Sequence, residues 1–231
     1  MIAENLENVR ARIAEACQRV GRDPSEVTLI AVSKTKPLSD IEEAMQAGQI
    51  DFGENYPQEL KLKAEALSGT AAKFHQIGHL QRNKVRAIID HVVLIHAVDS
   101  ERLAAQIEAE AAKRDRICDV LIEVNVAGEE SKFGVSPKDT LPLILEIAKL
   151  PHVHVRGLMT IAPYVEDPES NRIHFQNLHA LAVDIKSKNI DNVSMDVLSM
   201  GMTGDFEVAV EEGATMVRVG TGIFGARDYT V

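Results

Sequence analysis

A lysine close behind an apolar, β-branched run is the residue of this sequence with the clearest chemical potential. The run Val27–Val32 predicts a strand, and Lys34 follows it two positions later. Burial disfavours an ammonium ion, so a lysine at the end of a buried strand can present the neutral amine that attacks an aldehyde. The alternative is an ordinary surface lysine in a loop, and this motif alone leaves that alternative open. Lys36 precedes a proline and is expected to point outward.

Two segments near the end of the chain combine glycines with hydroxyl residues, as phosphate sites do. Ser199 and Thr203 stand in the first segment, and Arg218, Gly220 and Thr221 stand in the second. Glycine-freed backbone N–H groups and a hydroxyl at a helix start predict a phosphate cradle. The letters of 220–225 also match a dinucleotide fingerprint. That fingerprint needs a further helix, a strand and an acidic residue, whereas six residues follow position 225, so we prefer the phosphate interpretation.

Other polar residues near predicted strand ends are weaker candidates. Asn55 could hydrogen-bond a ring substituent, or it could simply cap a helix. Histidine pairs at 75 and 79 and at 152 and 154 could suggest a metal, but no carboxylate or cysteine stands at ligand spacing beside either pair. We therefore predict no metal site. No G-x-S-x-G elbow marks a serine triad.

The elements that must position these residues alternate between strand and helix, after an amphipathic N-terminal helix with apolar residues from Ile2 to Val20. The predicted strands are Val27–Val32, Ile50–Phe52, Phe74–Ile77, Val92–His96, Cys118–Val124, Val155–Met159, Val197–Ser199 and Met216–Val219. The predicted helices are Leu38–Ala47, Pro57–Ala66, Gln81–Asp90, Ser100–Arg114, Pro137–Lys149, Pro168–Lys188 and Asp205–Glu211. This pattern predicts an α/β protein: a (β/α)8 TIM barrel forming a single domain over 1–231, with an open doubly wound sheet as the alternative. In a closed barrel strand eight lies beside strand one, which would bring the glycine segment next to Lys34.

Composition narrows the class of protein. The formal net charge is −10, so general binding to nucleic acid or to anionic membranes is not expected. The N-terminus is charged and amphipathic, unlike a signal peptide, and no apolar run reaches membrane-spanning length. The two cysteines, Cys17 and Cys118, are expected to be buried thiols in a reducing compartment. We expect a cytoplasmic protein.

Taken together, several motifs resemble the pyridoxal phosphate homeostasis (YggS/PROSC) family. The motifs are AVSKTKP at 31–37, FGENYPQE at 52–59, IGHLQRNK at 77–84, RGLM at 156–159, LSMGM at 198–202 and MVRVGTGIFGARDY at 216–229. The resemblance covers nearly the whole chain. It implies a pyridoxal 5′-phosphate (PLP) barrel of fold type III, similar to the N-terminal domain of alanine racemase.

The resemblance also implies roles for individual residues. Lys34 matches the family's Schiff-base lysine, Asn55 the asparagine beside the ring, and Arg218 the arginine that faces the pyridine nitrogen. Gly220, Thr221 and the hydroxyl of Thr203, where the family usually has serine, match the phosphate cradle, and Ser199 is counted with the cofactor-binding residues. Gln76 departs from the apolar residue often found there, which puts the local packing in question.

Three functions remain open on the sequence. The favoured one is a non-catalytic PLP carrier that buffers or delivers PLP and influences the balance of amino acids and keto acids. The alternatives are a PLP-dependent racemase-like enzyme and a regulatory module whose cofactor is structural. An arginine partner weakens the ring as an electron sink, and the sequence shows no second domain of the kind that supplies alanine racemase with its second base. Expected partners are PLP, amino acids, and PLP-dependent apoenzymes or regulatory proteins.

Overall fold

A closed parallel barrel forms the centre of the protein. The computed structural model describes residues 1–129 and 132–225. Within them the strands are β1 Thr28–Val32, β2 Asp51–Glu54, β3 Lys73–Gln76, β4 Val92–Val98, β5 Cys118–Glu123, β6 Val153–Met159, β7 Val193–Met202 and β8 Met216–Val219. Each strand pairs in parallel with the next in the chain, and β8 closes the ring by pairing with β1. This confirms the predicted (β/α)8 barrel over the open sheet.

Helices surround the barrel. Their bounds are α1 Ile2–Arg19, α2 Leu38–Gln46, α3 Pro57–Ala66, α4 Val85–Ile88, α5 Glu101–Ala112, α6 Pro137–Ile147, α7 Arg172–Ser187, α8 Phe206–Glu211 and α9 Thr221–Phe224. The first helix is the predicted extra N-terminal one. Its apolar stripe is buried, and it packs against α2, α8 and α9 across the seam where the barrel closes. No helix in the described residues is long and apolar enough to cross a membrane.

Most predicted bounds agree with the structure within a few residues, and two segments differ more. Strand β7 begins four residues earlier and ends three residues later than predicted, because Ser194 and Asp196 interrupt the apolar pattern before the predicted strand and Gly201 interrupts it afterwards. The helix predicted over Gln81–Asp90 is a 3-10 turn, Arg82–Lys84, followed by the single turn of α4. In addition, the helix predicted from Pro168 opens with a 3-10 turn at Pro168–Asn171 before α7 begins.

The apolar core has two parts. The larger cluster fills the layer between strands and helices and includes Ile13, Phe52, Phe175 and Phe206. The smaller cluster consists of strand residues alone, and we assign it to the barrel interior: Leu94, Ala97, Leu121, Met159 and Val197. The interior also contains buried polar side chains, which bear on the site described below.

The register of the closing strand pair positions the two segments predicted to act together. Ile30 lies opposite Arg218, and Ala31 lies opposite Val219. One residue beyond β8, a Cβ built on Gly220 would stand 3.4 Å from the Cβ of Val32. The loops after β1 and β8 therefore leave the barrel side by side, although they are far apart in the sequence.

Candidate functional site

A large cavity opens at the carboxyl ends of the strands, where barrel folds hold their sites. Its volume is about 940 Å³. Six of the seven residues predicted from the sequence line it: Lys34, Asn55, Thr203, Arg218, Gly220 and Thr221. Phe133, in the loop before α6, and Tyr164, in the loop after β6, also contribute to its wall.

The seventh predicted residue, Ser199, occupies a different position. It is fully buried in β7 and is not one of the described residues that line the cavity. Its hydroxyl instead accepts a hydrogen bond from Nη1 of Arg218 at 2.6 Å. Ser199 therefore supports a cavity residue from below.

Arg218 places a buried cation at the floor of the cavity. Besides the bond to Ser199, its Nη2 donates to the carbonyl oxygen of Thr160 at 2.8 Å. Burial lowers the pKa of Arg218 to about 10, opposed by the carboxylates of Glu123 and Asp205. The guanidinium therefore remains protonated at neutral pH and can act there only as a hydrogen-bond donor.

Glu123 is a cavity residue that the sequence reasoning missed. It is the last residue of β5, it is 5% exposed, and its Oε2 has no hydrogen-bond partner among the described residues. Burial, reinforced by Asp99, raises the pKa of Glu123 to about 7, with Arg218 opposing the rise. A charged residue ending an apolar strand was the available signal, because strand ends are where barrel sites form.

The segment that carries Lys34 is fastened from beneath by a buried ion cluster centred on Lys63. The ammonium of Lys63 donates to the carbonyl oxygen of Ser33 at 2.7 Å, to Oε1 of Glu54 at 2.8 Å and to Oε1 of Glu59 at 2.7 Å. The Ser33 hydroxyl donates to the same Glu54 oxygen at 2.6 Å. The backbone on both sides of Lys34 is thus held, because the N–H of the following residue also donates to Glu59 at 2.6 Å.

The cluster supports two otherwise unfavourable features, a left-handed threonine and a buried carboxyl group. Thr35 adopts a left-handed φ of 64°, which a β-branched residue rarely adopts without support. Burial raises the pKa of Glu54, and the Lys63 ammonium opposes that rise. The carboxylate is therefore tolerated inside the protein chiefly because Lys63 is beside it.

Hydroxyl and backbone donors converge where the loops after β7 and β8 meet. The Thr203 hydroxyl accepts from the N–H of Gly220 at 3.4 Å and from the Thr221 hydroxyl at 3.3 Å. A Cβ at Gly222 would come within 3.0 Å of Val219 and 3.2 Å of Thr203, so a side chain there would crowd this corner. At the start of α9 the N–H groups of Ile223 and Phe224 both donate to the carbonyl oxygen of Gly220 at 2.9 Å, so the N–H groups of Thr221 and Gly222 lie at the open end of the helix. Together these groups form a small cradle of donors at the cavity wall.

Asn55 is placed by a buried glutamine. Nε2 of Gln76 donates to the carbonyl oxygens of Asn55 at 2.9 Å and of Gly78 at 3.0 Å. A Cβ on Gly78 would lie 2.8 Å from the Asn55 backbone, so only glycine permits this close approach. The departure noted at Gln76 is therefore explained: a polar residue fastens the loops after β2 and β3 to each other.

Of the remaining candidates, His79 lines the cavity and the others lie elsewhere. Nζ of Lys36 donates to the carbonyl oxygen of Phe224 at 2.9 Å, and Lys36 is not among the described cavity residues. His152 pairs with Glu108, and His154 with Asp119. His79 stacks on Phe133 at the rim, with 4.0 Å between ring centroids. Among the described residues, no group of three or more metal-ligating side chains comes together.

The family described as alanine racemase, N-terminal domain, matches residues 5–228. A pyridoxal phosphate homeostasis protein of Aquifex aeolicus is 46% identical over 226 residues, which covers 98% of this chain and 98% of that protein. One of Pseudomonas aeruginosa is 43% identical over 228 residues, covering 99% and 96%. The chain belongs to the family of pyridoxal phosphate homeostasis proteins.

A solved structure supports the same family at the level of fold. PipY of Synechococcus elongatus PCC7942, solved with PLP bound, matches with a TM-score of 0.84 and 34% identity, covering 97% of this chain and 100% of that one. The resemblance to pyridoxal phosphate homeostasis proteins drawn from the sequence motifs is thereby confirmed. Five of the six motifs contribute described residues to the cavity, and the exception is the motif at 156–159.

Proposed function

We propose that this protein binds PLP in the cavity at the carboxyl ends of its strands and serves to hold and deliver it. One observation carries the proposal: a single cavity gathers the Lys34 amine, the buried Arg218 cation and the donor cradle around Thr203 and Thr221. These are the groups that an aldehyde, a pyridine nitrogen and a phosphate require. A relative of 34% identity whose structure contains PLP adds support.

The residues present suit this cofactor on structural grounds. The cradle offers hydroxyl and backbone donors at a corner that a side chain on Gly222 would crowd, as a phosphate site demands. The cavity also offers Glu123 Oε2, a buried polar atom that lacks a partner among the described residues. The basic groups of Lys34 and Arg218 are local, whereas the chain as a whole has a net charge of −10. A small anion is therefore favoured over a polyanion.

Each group has a proposed role. PLP, when bound, supplies an aldehyde that combines with amines and a ring that withdraws electrons. Lys34 would hold the aldehyde carbon through its amine, and Thr203, Gly220 and Thr221 would hold the phosphate. Arg218 would donate a hydrogen bond to the ring nitrogen, and Asn55 would lie beside the ring.

We further propose that the protein does not turn over amino acids as an enzyme. Since Arg218 stays protonated at neutral pH, it would keep the ring nitrogen unprotonated and so weaken the ring as an electron sink. The names of the relatives, which refer to homeostasis, agree with a carrier. Amino acids and PLP-dependent apoenzymes or regulatory proteins are the proposed partners. Two buried, unbridged cysteines suit the reducing cytoplasm.

The experiment that tests this function follows the cofactor and the substrate separately. Protein loaded with PLP is reduced with borohydride and mapped by mass spectrometry. We expect the adduct on Lys34, its loss in Lys34→Ala, and its retention in the matched control Lys36→Ala. An adduct on Lys36 or Lys84 would overturn the site assignment.

The carrier role is tested by exchange at the amino-acid Cα in deuterated solvent, followed by NMR. Racemisation requires proton removal on one face and delivery on the other. We expect no exchange at enzyme-like rates, which are typically on the order of 10 per second. Exchange at such rates that disappears in Lys34→Ala would instead establish the racemase-like alternative.

A further inference from the structure

A continuous chain of hydrogen-bonded side chains crosses the barrel interior and ends on Arg218. Oδ1 of Asp51 lies 3.0 Å from Nε2 of His75, and Nδ1 of His75 lies 3.0 Å from Nε2 of His96. Nδ1 of His96 lies 2.9 Å from the Ser199 hydroxyl, which accepts from Arg218 at 2.6 Å. We call the four residues before Arg218 the core relay: Asp51, His75, His96 and Ser199.

The hydrogen positions in the core relay follow from its two ends. A guanidinium can only donate, so the Ser199 oxygen accepts from Arg218. Among the described residues, the one acceptor within reach of the Ser199 hydroxyl hydrogen is Nδ1 of His96, which must then carry no proton. His96 therefore carries its proton on Nε2 and donates to Nδ1 of His75.

The proton on His75 is fixed in the same way, at the Asp51 end of the core relay. His75 accepts at Nδ1, so its own proton sits on Nε2 and is donated to Asp51. With this arrangement every hydrogen of the core relay has an acceptor. In the opposite direction the Ser199 hydroxyl hydrogen would have none among the described residues.

Burial and charge agree with that assignment. His96 and Ser199 are fully buried, and Arg218 is 4% exposed. Burial, with help from His75 and the Arg218 cation, lowers the pKa of His96 well below its ordinary value of 6.5, so the ring is neutral. The charged groups that act on Arg218 from neighbouring elements are Glu123 and Asp205, and neither is part of the core relay.

The core relay connects opposite ends of the barrel. Asp51 is the first residue of β2, and its side chain is 16% exposed, whereas Arg218 faces the cavity beyond the carboxyl ends. The intervening members come from three further strands, β3, β4 and β7. The relay therefore joins a carboxylate near one end of the barrel to the cation in the cavity floor.

We propose that the core relay positions Arg218 for the cofactor ring and makes the cavity responsive to the charge on Asp51. The part of this inference that concerns the ring depends on the proposed function, whereas the hydrogen positions do not. In this role the four residues are positioning residues. Their hydrogen bonds restrict the guanidinium to one orientation, so that its remaining donors point into the cavity.

The first test needs no cofactor. Long-range ¹H–¹⁵N NMR spectra of PLP-free protein report which nitrogen of each histidine carries hydrogen. We expect His75 and His96 both as neutral rings with the proton on Nε2 at neutral pH. A proton on Nδ1 of His96, or a doubly protonated ring, would overturn the relay whether or not the protein binds PLP.

The second test removes the negative charge of the core relay with Asp51→Asn, which replaces the carboxylate by an amide of similar shape at a partly exposed position. Asp119→Asn is the matched control, because Asp119 accepts from Nδ1 of His154 at 3.1 Å at a distant site. We expect Asp51→Asn to shift the NMR signals of His96, which Asp51 does not touch, and to move the absorption band of bound PLP. PLP retention should weaken by roughly three- to tenfold, the worth of an ordinary hydrogen bond, because the lost charge acts on the cofactor only through the relay.

The outcomes separate the two proposals. His96 signals that are unchanged in Asp51→Asn, or shifted as much by Asp119→Asn, would refute the relay. Failure of the parent protein to bind PLP at all would refute the proposed function and leave the histidine tautomers as a valid test of the relay.

Discussion

Replacing Glu123 by glutamine is the sharpest test of the electrostatics in the cavity. The carboxyl is almost completely buried, and burial raises its pKa from 4.5 to about 7 even though Arg218 favours its charged form. Glutamine has nearly the same shape as the protonated acid but does not titrate. Glu123→Gln should therefore stabilise the protein at every pH at which Glu123 of the parent protein is charged.

The size and sign of the change in unfolding free energy follow from the linkage between proton binding and folding. Each pKa unit corresponds to about 1.4 kcal/mol, so a rise from 4.5 to about 7 makes ionisation cost about 3 kcal/mol more in the folded than in the unfolded protein. The stability associated with the neutral acid is fully present below the unfolded pKa and is lost as pH rises through the folded pKa. Relative to the parent, Glu123→Gln should gain about 3 kcal/mol above pH 7 and nothing below about pH 4.5.

Urea unfolding of PLP-free protein, measured at several pH values between these limits, gives the free energy of unfolding directly. Glu42→Gln, an exposed carboxylate on α2, is the control and should show no comparable pH-dependent gain. A difference between Glu123→Gln and the parent that is the same at every pH would refute the reasoning. A difference that grows on acidification would refute its sign.

Two further predictions concern the loops that frame the cavity. Thr221→Val should leave the fold intact, because the side chain is exposed. It should weaken PLP retention in equilibrium dialysis by about ten- to a hundredfold, the worth of a charge-assisted hydrogen bond. Unchanged retention would count against a phosphate site after β8. Lys63→Met should leave the Glu54 carboxylate buried without its cation and cost about 3–5 kcal/mol in unfolding free energy, less in acid where Glu54 is protonated. The exposed pair Lys61–Glu65 provides the control, and Lys61→Met should lower the unfolding free energy by less than about 1 kcal/mol. If Lys63→Met and Lys61→Met lower it equally, the cluster beneath Lys34 is not structurally important.

The barrel was predictable because each strand is a local apolar run and the helices between the strands have their own period. Local signals fail where the apolar pattern is interrupted. Strand β7 extends across Ser194 and Asp196 at its start and through Gly201 at its end, and α4 is a single turn although its sequence suggests a longer helix. In both cases packing against the barrel, rather than propensity, decides where the element ends.

The cavity was largely predictable for a different reason. The rule that sites form at strand ends needs only the order of the strands, and it locates Lys34, Asn55, Thr203, Arg218 and Thr221. It places Ser199 in the correct strand but cannot tell whether a side chain faces the cavity or the layer beneath, because a shift of one position reverses the direction. Glu123 satisfied the same rule and was overlooked.

Residues that support the cavity from within could not be found in this way, because their partners are distant in the sequence. His96 and Ser199 are 103 positions apart, and Ser199 and Arg218 are 19 apart, yet they meet in the barrel interior. In the sequence, Lys63 is indistinguishable from the other charged residues of its helix, although its ammonium is buried beneath the first strand. Such contacts depend on closure of the barrel, so they are properties of the fold and not of any local motif.

These buried networks also bear on what the cavity can do. Lys34 and Arg218 approach the cavity from adjacent strands, and each is fastened by its own set of polar groups, the Lys63 cluster on one side and the core relay on the other. Buried ionic groups are costly unless all their partners are in place, so both networks resist rearrangement. A racemase requires proton donors on both faces of the substrate, whereas a carrier requires a few binding groups held in constant positions. The described cavity has the second property: an amine, a cation and a donor cradle, each supported by contacts beneath the surface.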